Sequence, residues 1–138
     1  DRLLTLRRKI FMGGHLTPLL KRTYSKICMK NQSFIPISTK IGDGVTFPHG
    51  ICGIFISQGA IIGNNTVIFQ QVTIGSNTLE DSNNYGAPIV GNNVYIGVGA
   101  KIIGGVVTTD IPDNSTVVLE HPRIIIHDEE RDNSFKSF

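Results

Sequence analysis

A phrase of six residues recurs between residues 41 and 106 of this 138-residue chain. Each copy opens with an aliphatic or aromatic residue, usually has Gly or Asn three positions later, and then has a small or β-branched residue. The period is too short for a helical repeat and indicates a parallel β-helix, in which every short strand ends at a corner. The nine copies begin at Ile41, Phe47, Ile56, Ile62, Ile68, Ile74, Val90, Ile96 and Ile102.

The pattern assigns a place to each position of the hexad. The first and fifth residues are expected to point into the coil, and the third and fourth residues form the corner, where Gly or Asn adopts a positive φ at little cost. Three hexads close one triangular coil, so the repeat predicts about three coils. Such a core is a thin column that is open at both ends, which predicts caps or oligomerisation.

The residues before the repeat form a separate segment. Eight of the thirteen basic residues lie within the first thirty positions, where they alternate with Leu, Ile, Phe and Met. This pattern predicts two amphipathic helices, broken at Gly13 and Gly14 and restarted at Thr17 and Pro18, that pack on the β-helix or on a neighbouring subunit. The alternative is a basic surface that makes peripheral contact with an anionic membrane.

Composition argues against several classes of protein. The net charge of +2 is too small to indicate a nucleic-acid-binding protein. The sequence has no run of eighteen apolar residues and no signal-peptide core. Cys28 and Cys52 are too few for a disulfide framework, so we expect a cytoplasmic protein in which both thiols are reduced and behave as small apolar residues. Because the sequence begins at Asp1, we also expect residues upstream of it.

The repeat is interrupted first in two places within its length. The interval from Phe47 to Ile56 is nine positions instead of six, which predicts a bulge of three residues around Cys52 to Ile54. Ten polar, turn-rich residues, Glu80 to Ile89, are inserted before the next hexad and predict a loop that reaches away from the coil. A solenoid core gains nothing from such interruptions, so we expect both to build a site.

The third interruption follows Val106. The segment from Val107 fits the register only when it is read one residue out of phase, which indicates either a cap or a missing part of a coil. The aliphatic run 124–126 predicts a last strand, and the polar end of the chain is expected to fray. The domains are therefore expected to be a helical segment over residues 1–34, an all-β domain with its cap over residues 35–126, and a tail over residues 127–138.

His49 is the main catalytic candidate, because it is the one histidine inside the repeat and imidazole can exchange a proton near neutral pH. It stands at the third position of its hexad, so its ring is expected to project outward at a corner. With the insertions looped out, His49, Gln70 and Val98 form a column along one edge, whereas Asp43 is a solvated corner residue on another face. A single outward corner cannot form a deep pocket, so a second subunit would supply the other wall, which predicts a homotrimer.

Several segments together resemble the hexapeptide-repeat acyltransferase superfamily, and within it the serine O-acetyltransferases and the enzymes that acetylate surface polysaccharides. The resemblance covers residues 34–126. It implies a left-handed parallel β-helix, against the usual right-handed crossover rule, and trimers with acetyl-CoA in the groove between two subunits. The segments are the hexads, Phe-Pro-His-Gly at 47–50, Gln-Gln-Val-Thr-Ile-Gly at 70–75, Gly-Ala-Pro at 86–88 and Val-Tyr-Ile-Gly-Val-Gly-Ala-Lys-Ile-Ile-Gly at 94–104.

The resemblance also implies roles for individual residues. His49 matches the general base that removes the proton from an acceptor hydroxyl as that oxygen attacks the thioester carbonyl. Other matching positions line the coenzyme groove, where glycine permits close approach and a lysine would meet the phosphates. No metal is required. The coenzyme-binding candidates are Gln70, Gly75, Gly97, Val98, Gly99 and Lys101.

Two departures bear on the acceptor. Serine acetyltransferases carry an Asp and a His that serve serine at the positions of Phe34 and Ala87. Neither side chain can pair with the charged groups of an amino acid, so we favour a hydroxyl of a sugar or surface-polysaccharide precursor, with L-serine as the alternative acceptor. Relatives also place about two more hexads before the segment from Val107, which indicates a segment missing from the given sequence or a real deletion.

Two further classes of function are compatible with a repeat of this type. Metal-dependent carbonic anhydrases share this type of fold and hold zinc with three histidines from neighbouring coils. His49 is the only histidine of the repeat, which argues against this class. The other alternative is a non-enzymatic scaffold in polysaccharide assembly, in which His49 would be incidental.

Overall fold

Two helices precede the repeat, α1 (Arg2–Met12) and α2 (Thr17–Lys30). Gly13 and Gly14 separate them with φ values of 74° and 119°, and a proline stands in the first turn of α2. The predicted helices and the break between them are therefore confirmed. The computed structural model describes residues 2–78, 80, 85–104 and 111–117.

Buried polar contacts fix the helices to the start of the coil. The Arg7 guanidinium, 6% exposed, donates hydrogen bonds to the carbonyl oxygens of Pro36, at 2.8 Å, and of Thr39. The Tyr24 hydroxyl donates to the Ile35 carbonyl oxygen at 2.7 Å, and burial raises the pKa of Tyr24 to about 12. The helices thus pack on the first coil, which is one of the two placements that the sequence predicts for them.

Short strands make up the repeat, as a chain that turns every six residues requires. Each strand is two or three residues long, and every described pairing between strands is parallel. The strands in the described residues are β1 (Lys40–Ile41), β2 (Phe55–Ile56), β3 (Ile61–Ile62), β4 (Val67–Ile68), β5 (Thr73–Gly75), β6 (Ile89–Val90), β7 (Tyr95–Ile96), β8 (Lys101–Ile103) and β9 (Thr116–Val117).

The chain visits three parallel sheets in rotation. The first sheet has the order β1-β3-β6, the second β4-β7-β9 and the third β2-β5-β8. Isolated bridges extend the three sheets by one residue each, at Val90 to Ile111, Thr46 to Val67 and Phe34 to Phe55. The faces assigned from the hexads are confirmed by the register, which aligns Ile41 with Ile62 and Val90, Ile68 with Ile96, and Ile56 with Ile74 and Ile102.

The core follows the hexad pattern closely. First-position side chains fill the interior, and Ile56, Ile68, Ile74 and Ile96 are completely buried. Fifth-position side chains are also buried, with two exceptions among the described residues, of which Ser115 is half-buried. Thr78 is exposed, because the chain leaves the coil one residue earlier. The buried fifth-position residues are Val45, Ile51, Ala60, Thr66, Val72, Val94 and Ala100.

The left-handed backbone of the corners falls at the fourth position of the hexad, and once more at Gly53 in the additional turn, with φ of 64°. Glycine and asparagine reach this conformation at little cost, and they occupy six of the seven fourth positions that have it. The exception is a glutamine, Gln71, with φ of 62°. The fourth-position residues with positive φ are Gly44, Gly50, Asn65, Gln71, Asn93, Gly99 and Asn114.

The predicted bulge after His49 is wrong in part. Two successive turns replace it, closed by hydrogen bonds from Gly50 N to Phe47 O and from Ile54 N to Ile51 O. Ile54 is fully buried, so the extra residues add an aliphatic side chain to the core instead of looping out. The exposed residue of the segment is Cys52, whose thiol is therefore not a buried apolar group, in contrast to Cys28.

The two ends of the long insertion meet at the side of the coil. Asn77 and Gly86 form an antiparallel bridge that closes its base, with N···O distances of 2.8 and 2.9 Å. Residues 81–84, the centre of the predicted loop, lie outside the described residues.

The phase slip near the end of the repeat is three residues and not one. Ile111 bridges to Val90 in the first sheet, and Val117 pairs with Ile96 in the second. Nine residues therefore separate Ile102 from the next first position, the same interval as between Phe47 and Ile56. Residues 105–110, the predicted strand at 124–126 and the predicted tail at 127–138 lie outside the described residues.

Candidate active site at the edge of His49

His49 lies at the edge where the second and third sheets meet. Phe47 anchors the start of its turn in the core, and Gly50 closes the turn with φ of 74°. The intervening imidazole is exposed, as its place in the hexad predicts. The local sequence therefore holds the backbone of His49 by a buried side chain on one side and a left-handed glycine on the other.

The predicted column is confirmed in part, because the side chains of His49 and Gln70 are in contact but the backbone beneath Gln71 is that of Cys52, whose carbonyl oxygen accepts from Gln71 N. His49 Nδ1 lies 2.9 Å from Gln70 Oε1 of the next coil. One coil further, Gly99 N donates to Gln70 O at 3.1 Å, and the neighbouring Val98 side chain is 47% exposed. A basic group, an amide and an exposed apolar side chain thus follow one another along this edge. We call this column, together with the aromatic residues beside it, the histidine edge.

Two aromatic residues that sequence reasoning missed belong to the histidine edge. The ring of Phe69 meets that of His49 edge-to-face, with centroids 5.1 Å apart and an interplanar angle of 88°. Tyr95 packs on the other side of Phe69 at 5.0 Å. Both residues could have been found from the hexad, because Phe69 directly follows a first position that points inward and Tyr95 directly precedes one. Both side chains must therefore point outward.

The predicted coenzyme-binding residues do not all behave alike. Lys101 Nζ donates to Gln71 O at 3.0 Å and to Thr73 Oγ1 at 2.9 Å. Two of the three donors of the ammonium group are therefore tied to the coil. Gly97 N donates to Val117 O at 2.7 Å within the second sheet, so its backbone is used by the fold as well.

Gly75 differs from the glycines that the packing of the coil requires. A methyl group added at Gly75 would have its nearest neighbours, in the side chains of Ile103 and Thr73, at 3.8 and 3.9 Å. Those are ordinary van der Waals contacts. Nothing in the described chain therefore requires glycine at this position, which leaves close approach by another molecule as a reason for it.

The two positions that depart from the serine acetyltransferase pattern carry no charge in the structure. Phe34 stacks on Phe55 with centroids 5.1 Å apart and an interplanar angle of 21°. The two rings are 52% and 43% exposed, so they form an aromatic platform on the outer face of the third sheet. Ala87 lies beside Gly59 at the edge between the third and first sheets.

Asp43 is an exposed corner residue, as predicted, but it has an ion-pair partner that the sequence did not predict. Its carboxylate forms an exposed ion pair with Arg8 at 2.8 Å. Among the described residues, no carboxylate lies within salt-bridge distance of His49. The described part of the chain also contains no group of three His, Cys, Asp or Glu side chains that could hold a metal ion.

Cavities of about 760 and 620 Å³ lie between the helices and the first coil and do not include His49. They are lined by side chains of α1 and α2 and by backbone-rich segments around residues 33–46. We place the candidate site at the histidine edge, because a base, an amide and aromatic rings converge there. That edge is an open surface in a single chain.

Comparisons with known proteins agree with the motifs. The chain is 35% identical over 107 residues to the serine acetyltransferase of Synechocystis sp., which spans 68% of this chain and 42% of that protein. Soybean serine acetyltransferase in complex with serine matches with a TM-score of 0.62 and 27% identity, over 89% of this chain and 56% of that one. No family model matches the chain.

A third match is a serine acetyltransferase in complex with CoA, with a TM-score of 0.61 and 25% identity over 83% of this chain and 45% of that one. These relatives belong to the hexapeptide-repeat acyltransferase superfamily, so the resemblance inferred from the motifs is confirmed. The chain spans less than two thirds of the length of each of these relatives.

Proposed function

We propose that the chain forms the acyl-transfer domain of an acetyl-CoA-dependent O-acetyltransferase built on a left-handed parallel β-helix. The observation that carries the proposal is the exposed imidazole of His49, hydrogen-bonded through Nδ1 to Gln70 at a corner of the repeat. The similarity to serine acetyltransferases supports L-serine as the acceptor.

The chemistry requires a base and a thioester held at attack distance. In the proposed reaction His49 Nε2 removes the proton from the acceptor hydroxyl as that oxygen bonds to the carbonyl carbon of acetyl-CoA. The C–S bond then breaks, and the imidazolium returns the proton to the departing thiolate. The products are the O-acetyl ester and coenzyme A, and the histidine is regenerated.

The binding groove is proposed to lie along the histidine edge and to be completed by a second copy in a homotrimer. Val98 offers exposed apolar surface, and Gly75 leaves space beside the third sheet. Lys101 keeps one donor for an anionic group beside Thr73. Gln70, Gly97 and Gly99 are proposed to contribute mainly through their places in the coil.

A sugar hydroxyl is the second candidate acceptor. It is favoured by the stacked rings of Phe34 and Phe55. Phe34 and Ala87 also occupy the positions at which serine acetyltransferases carry the Asp and the His that serve serine. Exposed aromatic faces suit the apolar faces of sugar rings better than the charged groups of an amino acid.

The test is release of coenzyme A from acetyl-CoA with L-serine and with a panel of sugars and nucleotide sugars. Turnover with serine supports the leading proposal, and turnover with a sugar alone moves the acceptor to the second candidate. Absence both of turnover and of coenzyme binding would reject the transferase and leave the scaffold alternative.

We also propose a cytoplasmic location and peripheral contact with an anionic membrane. Residues 2–42 contain nine basic residues and no acidic residue. Phe11, Met12 and Leu16 are at least 63% exposed at the turn between the helices. No helix in the described ranges is long and apolar enough to cross a bilayer. Co-sedimentation with vesicles that contain phosphatidylserine, compared with neutral vesicles, tests the contact.

A further inference from the structure

The hydrogen-bond partner of His49 is a neutral amide. Gln70 stands at the same hexad position as His49 in the next coil, where adjacent strands run about 4.8 Å apart. The backbone below Gln71 is that of Cys52, whose carbonyl oxygen accepts from Gln71 N at 2.9 Å, so the 2.9 Å contact between His49 Nδ1 and Gln70 Oε1 is made by the two side chains alone. The side chain of the next residue of the column, Val98, cannot form a hydrogen bond. The described carboxylate closest in the repeat, Asp43, is paired with Arg8.

We propose that Gln70 is a positioning residue that holds His49 in the tautomer with a proton on Nδ1 and a free lone pair on Nε2. The amide oxygen accepts from Nδ1–H, so the nitrogen left to act as a base is the outward one. Phe69 restricts rotation of the ring through its edge-to-face contact. The inference rests on the proposed transferase and replaces a coenzyme-binding role for Gln70.

A neutral partner has a chemical consequence. A carboxylate at this place would stabilise the imidazolium strongly, whereas an amide fixes the tautomer without adding a negative charge. Gln70→Glu and Gln70→Leu separate the two effects, because Glu keeps the acceptor and adds a charge while Leu removes the acceptor.

The first measurement is the tautomer of His49, read from ¹⁵N chemical shifts of the whole protein. We expect Nδ1–H in the wild type and in Gln70→Glu, and a shift towards Nε2–H in Gln70→Leu. Gln58→Leu is the matched control, because Gln58 is exposed at the third position of a hexad on a different edge. An Nε2–H tautomer in the wild type, or no change in Gln70→Leu, would overturn the proposal.

The second measurement is the pH dependence of kcat/KM. Gln70→Glu should move the acidic limb of the profile to higher pH by about one unit, and Gln70→Leu should lower kcat about tenfold with little change in the KM for acetyl-CoA. A raised KM with an unchanged profile would instead return Gln70 to coenzyme binding. If no variant turns over any acceptor while the tautomer responds as expected, the transferase fails and the positioning role of Gln70 stands.

Discussion

Two edges of the same coil use the same six-residue turn for different purposes. The edge between the first and second sheets, which we call the amide edge, is lined by five amide side chains and one carboxylate: Asn64, Asn65, Asn92, Asn93, Asn114 and Asp113. The histidine edge, between the second and third sheets, has the same backbone turn but presents His49, Phe69 and Gln70. The amide edge therefore shows which residues the fold requires at a corner, and the histidine edge shows which residues the candidate site requires there.

At the amide edge, side chains satisfy backbone groups of the neighbouring coil. Asn64 Oδ1 accepts from Asp43 N, and Asn92 Oδ1 accepts from Asn64 N, each at 2.8 Å. The Asn93 side-chain amide joins the coils on either side of it. Its Oδ1 accepts from Asn65 Nδ2 at 3.3 Å, and its Nδ2 donates to Asn114 Oδ1 at 3.1 Å. This edge is therefore a continuous ladder of hydrogen bonds.

At the histidine edge, the pair of His49 and Gln70 stands beside exposed Val98, so its side chains remain available to a ligand.

The largest expected effect is on turnover. His49→Ala should lower kcat/KM for acetyl transfer by about 10²-fold or more, because a positioned base contributes at least that much. The free energy of unfolding should change little, since the ring is exposed. His15→Ala, which removes an exposed histidine outside the repeat, is the control. A rate unchanged in His49→Ala would remove this residue from the mechanism.

Two glycine-to-alanine substitutions distinguish a glycine that the packing of the coil requires from one that it does not. A Cβ at Gly63, beside the amide edge, would lie 2.2 Å from Gly91 O, a backbone atom that cannot move cheaply. Gly63→Ala should therefore destabilise the protein by at least about 2 kcal/mol in urea unfolding. Gly75→Ala, with its nearest neighbour at 3.8 Å, should stay within about 1 kcal/mol of the wild type. Equal losses would show that both glycines serve packing alone.

Asn93 combines both demands of the amide edge. Asn93→Ala should cost about 2 kcal/mol of unfolding free energy, because it removes the amide bonds and leaves alanine, which tolerates the left-handed region less well than asparagine, at φ of 55°. Asn93→Gly keeps the left-handed backbone and should cost about 1 kcal/mol. The difference between the two variants measures the conformational part. If the glycine variant loses as much as alanine, the ladder alone accounts for the stability.

The smallest expected effect is at Gln71, on the histidine edge. Its φ of 62° strains a residue with a side chain, and its backbone bonds to Cys52 O and Lys101 do not need that side chain. Gln71→Gly should raise the free energy of unfolding by about 0.5 kcal/mol, because relief of strain slightly exceeds the entropy that glycine loses. Gln71→Ala is the control and should not stabilise. A clear loss in the glycine variant would show that the glutamine side chain itself supports the turn.

The sequence predicts the core and the column of His49 because both depend on a strict register. Inward aliphatic residues align the coils, and aligned coils place Gln70 beside the imidazole. The register could not predict the path of its own exceptions. The turn that buries Ile54 and the three-residue slip before Ile111 are set by packing between coils, which residue spacing does not record. Phe69 was missed because an outward second position has no fixed role in the hexad.

The most direct test of the division between the two edges is the initial rate of coenzyme A release in His49→Ala and Asn93→Gly, measured side by side with the wild type. We expect a loss of about 10²-fold for His49→Ala. For Asn93→Gly we expect a rate within about twofold of the wild type at a temperature where that variant is folded. Comparable losses in both variants, or full activity in His49→Ala, would contradict this division between the edges.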